Sequence, residues 1–301
     1  MISARAAVSI ALAGAGLLAG TASDVMPDRP PPRRGGYLVL QADLHVHSFL
    51  GDGVLWPWDL AIEARRRGLD VIAITNHNQI VAARIGRFFA NRRAAPLVLV
   101  GEEITAPDYH LIALDIREAV SGERPVESAI ADVHSQRGVA IAAHPTRRFR
   151  PAYGAAALRE LDGAEVAHPL TYSRGPDELR EFFARLRLVR GRAAAVGSSD
   201  YHAFASLGAC RTYVFASEKS EAAVVEALRQ GRTVAFDVEG VAHGDPELIA
   251  LLRTPVGIPG DPPAIRWLAI AGRISALLGA AGLLLLRRAR GRTSLRASRR
   301  A

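Results

Sequence analysis

The chain of 301 residues contains a single cysteine, Cys210, and a single lysine, Lys219. One thiol cannot close an intramolecular disulfide, and it cannot build a metal site of the Cys-cluster kind. The count leaves the redox compartment open. Nearly all positive charge is arginine, a bias that genome composition explains and that carries no chemistry by itself. Acidic residues are missing altogether from 264–301, which holds nine arginines, while 1–36 carries a net +2. The formal charge of +8 therefore sits at the ends, and 37–263 is left at −3. A slightly acidic centre lacks the long basic groove that duplex nucleic acid requires, so a nucleic-acid-binding module is the weakest of the readings considered and no duplex partner is expected.

What is present begins with 49% hydrophobic residues, enough for a sizeable core, in a length that suits one α/β barrel domain with terminal extensions. Residues 1–22 hold Arg5, an apolar run over 6–20, and then the small residues Gly20-Thr21-Ala22-Ser23. That pattern reads first as a cleaved signal peptide, second as an uncleaved N-terminal anchor, and third as a buried helix. A Pro/Gly-rich linker follows over 23–36, a matching one spans 254–263, and the folded domain is set at 37–253.

Residues 264–286 read as a transmembrane helix interrupted once by Arg273. The alternative is an amphipathic helix at a surface, with Arg266 and Arg273 facing water. The arginine-rich tail 287–301 is expected to stay cytoplasmic. The protein would then be membrane-associated through its C-terminal helix, with the central domain extracytoplasmic.

Within the domain, strand-like runs at 37–45, 71–75, 97–105, 110–116, 139–144, 164–168 and 193–198 alternate with helical patterns at 58–67, 79–92, 126–136, 177–188 and 218–230. Two more strand-like runs, 211–216 and 232–238, are expected to complete or cap the structure. The alternation predicts an α/β fold with a mainly parallel sheet, closed or open.

Metal-ligand residue types fall at the strand ends, which favours the closed form, because a barrel gathers strand ends at one mouth. In Asp43-Leu44-His45-Val46-His47 the two imidazoles are spaced i, i+2 and so share one face of a strand. An H-x-H alone is weak, since an unrelated histidine pair produces it as readily. Its company is stronger: Asp52 in Gly51-Asp52-Gly53, His77 in Thr75-Asn76-His77-Asn78, Glu103 in Gly101-Glu102-Glu103-Ile104-Thr105, His144-Pro145, and Ser199-Asp200-Tyr201-His202.

In this order the motifs resemble those of the PHP family, named for polymerase-associated and histidinol phosphatase domains, over roughly residues 40–240. The resemblance implies a distorted seven-stranded (β/α) TIM-like barrel with two or three divalent metal ions. It implies that His45, His47 and Asp200 hold one ion, that Glu103 bridges to a second with His144, and that Asp52, His77 and His202 hold a third. His110 matches a ligand found in some members. The mixed imidazole and carboxylate set suits Zn, Mn or Fe better than Mg.

The implied activity is metal-dependent hydrolysis of a phosphomonoester or phosphodiester, with nucleotides, oligonucleotides and sugar phosphates as substrate classes. Paired divalent ions lower the pKa of a water and clamp the oxygens of an in-line displacement. His202 is the candidate for protonating the leaving group, and Asp200 is counted with it as catalytic. Arg147, Arg148 and Arg150 follow the third motif and could bind a substrate phosphate; a solvated loop in an arginine-rich chain is the competing reading.

Two departures stand out. Asn76 occupies a position where many members have Asp, which removes a carboxylate that could orient His77. His168 stands where Asn is more usual, and reads first as a satisfied rim histidine and second as an extra ligand. Trp56 and Trp58 read as rim packing ahead of a base-stacking platform, and His243 as a loop residue. The alternative function is a catalytically weak metal- or ligand-binding regulatory domain at the membrane.

Overall fold

The computed structural model describes residues 3–24, 30–91, 96–203, 205–252 and 263–298. They fall into two units, one made of the terminal segments 1–27 and 259–301 and one of residues 28–258. Most of the linker expected at 254–263 and part of the one at 23–36 lie outside the described residues.

The larger unit is built on one sheet of eleven strands. They are β1 Arg33–Arg34, β2 Tyr37–Val46, β3 Val71–Ile74, β4 Leu97–Thr105, β5 His110–Leu114, β6 Val139–Ala142, β7 Gly163–Ala167, β8 Ala194–Gly197, β9 Thr212–Ala216, β10 Thr233–Phe236 and β11 Ala242–Gly244. The strand order is β11-β10-β9-β2-β3-β4-β5-β6-β7-β8, with β1 paired to β2. The seven expected strands correspond to β2 through β8, and the two further runs to β9 and β10.

The sheet is more mixed than expected. β2/β3, β3/β4, β6/β7 and β7/β8 are parallel, whereas β4/β5, β5/β6, β2/β9, β9/β10 and β10/β11 are antiparallel. The reason is local. Residues 106–109 are too short for a crossover, which needs a dozen or more, so β4 and β5 can only form a hairpin. β11 was not expected: His243 lies on it, outside any loop, with Nε2 2.7 Å from Asp237 Oδ2.

The sheet curls into a distorted barrel. Leu40 of β2, Leu99 of β4, Ile112 of β5, Ile141 of β6, Val196 of β8 and Val214 of β9 join one buried cluster. Strands far apart in the ladder can share a cluster only on the concave side. Val224, Val225 and Leu228 of the helix Glu221–Arg229 pack into the same cluster. A second cluster covers the convex side with the helices Pro57–Arg66, Val81–Ala90, Val126–Ser135 and Asp177–Arg190.

Among the described residues no ladder joins β8 to β9; a side chain links these two strands, while the backbone bridge Val46–Tyr201 ties the segment after β8 to β2. Thr212 Oγ1 accepts from the Gly197 amide at 3.0 Å and donates to the Gly197 carbonyl at 2.9 Å. Gly197 has no room for a side chain there, since a Cβ would lie 2.5 Å from the Arg211 carbonyl oxygen.

In the smaller unit, the helix Ala4–Asp24 packs against the helix Pro263–Ser298. Windows of both, Ala4–Thr21 and Ile270–Arg288, are long and apolar enough to cross a membrane.

Candidate metal centre

The β2/β3 ladder slips between Asp43 and Val46. Leu40, Ala42 and Leu44 face the inner cluster, yet Val46 joins the outer one, and the slip lets His45 and His47 reach the barrel mouth. β4 brings Glu103 there. β5 runs the other way, so its first residue, His110, arrives at the same end. His144 and Asp200 follow β6 and β8, with positive φ values of 25° and 44°. Non-glycine residues rarely adopt such values, and the strain costs on the order of 1–3 kcal/mol each.

The structure brings the sequence-predicted ligands together. His45 Nε2, His47 Nε2, Glu103 Oε2 and Asp200 Oδ1 converge at one point. His45 Nε2 is 3.0 Å from His47 Nε2, 3.3 Å from Glu103 Oε2 and 3.2 Å from Asp200 Oδ1. His47 Nε2 is 3.4 Å from Glu103 Oε2 and 3.3 Å from Asp200 Oδ1. A tetrahedral ion bound at roughly 2.0–2.1 Å sets its donors roughly 3.3–3.4 Å apart, so these spacings fit a first-row divalent ion. Asp200 Oδ1 is buried and has no hydrogen-bond partner, which also fits an atom reserved for a metal.

Glu103 spans two groups. Its Oε1 lies 2.7 Å from His110 Nδ1 and 3.0 Å from His144 Nε2, while Oε2 faces the first group. Nearer the rim, Asp52 Oδ2 is 3.2 Å from His77 Nε2 and 3.0 Å from His202 Nε2. The other oxygen, Asp52 Oδ1, is 3.1 Å from His47 Nδ1.

Hydrogen bonds at the far nitrogens fix the tautomers. His45 Nδ1 donates to Glu165 Oε1 at 3.0 Å, which leaves Nε2 free to ligate. His77 Nδ1 pairs with Thr105 Oγ1 at 2.6 Å, and His202 Nδ1 with the Asp200 carbonyl oxygen at 2.9 Å. His168 differs: its Nδ1 accepts from the Leu170 amide at 3.1 Å, which leaves the proton on Nε2, 3.3 Å from Asp200 Oδ2. It is buried, and Nε2, which has no hydrogen-bond partner among the described residues, lies beside the donor atoms of His45 and His144.

Asn76 does not touch His77. Its Oδ1 accepts from the Ser48 amide and hydroxyl at 3.2 and 2.9 Å, and its Nδ2 donates to the Ser48 carbonyl at 3.1 Å. The residue staples the loop after His47, while Thr105 and Glu103 orient His77, so the concern over a missing carboxylate falls away.

Glu165 was missed in the sequence. Fully buried, it also accepts from the His144 amide at 2.6 Å and from the Ser198 hydroxyl. The one signal was a carboxylate inside the apolar run Gly163-Ala164-Glu165-Val166-Ala167. Asp43 is the other such group: it accepts from the amides of Ser199 and Gly208 at 3.0 and 2.7 Å and ties down the loop that carries Asp200 and His202.

The electrostatics of the pocket favour positive charge. Burial opposes charging His45, but the carboxylates of Asp200, Glu103 and Glu165 outweigh it and hold the imidazole well above its ordinary pKa. Burial would raise Glu103, yet charged His45 and hydrogen bonds from His110, His144 and His45 hold it well below the usual range. Asp200 is likewise lowered against its burial, by His45, His168 and His47. So many carboxylates attract positive charge, as protons or as metal ions.

The arginines divide. Arg147 Nε pairs with Glu178 at 3.2 Å and Arg150 with Glu181 at 3.0 Å. Arg148 lies over the Phe149 ring at 5.0 Å, and that ring packs 4.2 Å from His110 and 5.6 Å from His144, centroid to centroid. Trp56 stacks on Trp58 at 5.1 Å, in line with rim packing.

Comparison with known proteins agrees with this architecture. The PHP-associated family matches residues 191–233. MJ1587, an uncharacterized protein of Methanocaldococcus jannaschii, is 30% identical over 139 residues, which is 42% of this chain and 81% of its own length. A solved structure from Bacteroides vulgatus, a two-domain protein containing a predicted PHP-like metal-dependent phosphoesterase, is similar in fold. It has a TM-score of 0.61 and 24% identity, over 76% of this chain and 73% of that one.

Proposed function

Because the chain belongs to the PHP family, we propose that it hydrolyses phosphate esters using divalent ions held at the barrel mouth. The observation that carries the reading is the four-atom group of His45, His47, Glu103 and Asp200, continued through Glu103 to His110 and His144. Bound divalent ions would supply an activated water and positive charge for the phosphoryl oxygens.

The protein's own groups do the rest. Glu165 and Asp52 keep protons on the Nδ1 atoms of His45 and His47 and so present Nε2 as donor. Arg148, the arginine of its loop that lies over an aromatic ring beside His110 and His144, would orient a phosphate. With a second proton, carried on Nε2 where it faces Asp52, His202 would protonate the leaving alcohol. The substrate class is a small phosphorylated molecule, with nucleotides among the candidates. The alternative, a catalytically weak regulatory domain, rested on Asn76, whose side chain bonds Ser48.

Location follows from composition. The apolar helices and the arginine-rich tail support membrane association with the catalytic domain on the extracytoplasmic side.

The test is release of p-nitrophenol from p-nitrophenyl phosphate and its bis ester by the full chain supplied with Mn²⁺ or Zn²⁺. Turnover that disappears on chelation supports the reading, and no turnover by metal-replete protein overturns it.

A further inference from the structure

The two terminal helices are built inside out. The residues between them are small: Gly16, Gly272 and Gly279 bring the backbones so close that no side chain fits. A Cβ on Gly16 would lie 2.5 Å from the Gly272 carbonyl oxygen, and one on Gly279 would lie 2.5 Å from the Ser9 carbonyl oxygen. A Cβ on Gly282 would collide with the Ser9 hydroxyl, and Ser9 is buried. Ser275 Oγ donates to the Leu12 carbonyl at 2.9 Å, a hydrogen bond from one helix to the other. The large apolar side chains face outward: Leu17, Leu18, Leu277, Leu278, Leu284 and Leu285 are each at least 60% exposed.

In water such a pair would hide its small residues and display its leucines, against the hydrophobic effect. In lipid the arrangement is the expected one, since close backbone approach and an interhelical hydrogen bond then drive association.

We infer that the N-terminal apolar segment is retained and forms a two-helix membrane hairpin with the C-terminal helix. This rests on the membrane reading above and chooses between its alternatives, since the first reading of residues 1–22 was a cleaved signal peptide. The pairing is antiparallel: Gly272 meets Gly16 and Gly20, while Gly279 meets Ser9 and Ala13, and Gly282 meets Ser9. Arg5 therefore lies at the same end of the pair as Arg287 and Arg288, and the positive-inside rule puts that end in the cytoplasm. Residues 24 and 263, through which the chain enters and leaves the catalytic domain, share the other end.

The register also accounts for Arg273. Three residues beyond the start of the Ile270–Arg288 window, it lies near the domain-side end, where its guanidinium can reach the interface.

The experiment uses full-length protein in membranes. N-terminal sequencing should recover residues preceding 22. In a Cys210→Ser background, Leu12→Cys with Ser275→Cys should be joined by a short reducible bis-methanethiosulfonate linker, because the Ser275 hydroxyl lies 2.9 Å from the Leu12 carbonyl. The terminal fragments should then stay joined after the domain is cut by protease and separate on reduction, and adding Gly279→Leu should abolish the link. A mature chain that begins after residue 22, or membrane-inserted helices that never cross-link, would overturn the hairpin while leaving the membrane reading intact. A chain recovered wholly in the soluble fraction would overturn both.

Discussion

His45 and Glu165 meet at 3.0 Å, Nδ1 to Oε1, with both side chains sealed from solvent. The carboxylate is not aimed at the four-atom group. It fixes the ring that is, and it also receives the His144 amide and the Ser198 hydroxyl, so a single buried charge holds the segments after β6 and β8 in place.

Glu165→Gln, which keeps the shape and one acceptor oxygen, should weaken metal binding by about 10–100-fold, the usual effect of losing a carboxylate behind a ligating imidazole. Competition with a chelator of known affinity measures it. Unchanged affinity would remove Glu165 from this role.

Arg148→Ala should raise KM for a phosphate dianion by about 10–100-fold, the equivalent of one or two charge-assisted hydrogen bonds, with kcat little changed. Arg147→Ala and Arg150→Ala should have small effects, because both guanidinium groups already pair with glutamates of the helix Asp177–Arg190. Equal effects from all three would mean that the loop acts as a diffuse positive patch.

Removing metal should make stability depend on alkaline pH. Burial disfavours charged His47, but the neighbouring carboxylates of Asp200, Asp52 and Glu103 carry its pKa from 6.5 up to about 10. A raised folded-state pKa contributes stability below the unfolded value and loses it as pH rises through the folded one. Chelated protein should thus lose Tm between pH 6.5 and about 10, whereas metal-replete protein should hold its Tm over that window. Parallel pH profiles in thermal unfolding would contradict the balance of charges described for the pocket.

Thr212→Val tests the seam of the barrel. It strands the Gly197 amide and carbonyl, which should cost about 1–3 kcal/mol, and in a domain of this size each kcal/mol lowers Tm by roughly 2–4 °C. A variant as stable as the parent would show that closure does not depend on this side chain.

Much of the site was legible in the sequence because its groups end short strands or open the loops after them. Asp-x-His-x-His, Asn76-His77 and Ser199-Asp200-Tyr201-His202 mark positions where the backbone leaves the sheet. Residues that support the ligands were less visible. Glu165 lies inside a strand of small apolar residues, and nothing local says that its charge faces His45, 120 positions away. The antiparallel β4/β5 pair escaped notice because strand and helix patterns carry no direction; direction came from the length of the connection. The tautomer of His168 depends on the Leu170 amide, a contact made by a turn that residue identities alone do not specify.

Anomalous diffraction from crystals of metal-replete protein, recorded on both sides of the absorption edge of the added ion, tests the central claim most directly. The account predicts a peak enclosed by His45 Nε2, His47 Nε2, Glu103 Oε2 and Asp200 Oδ1, with a second peak sharing Glu103. Density for the four side chains with no anomalous peak among them would contradict it.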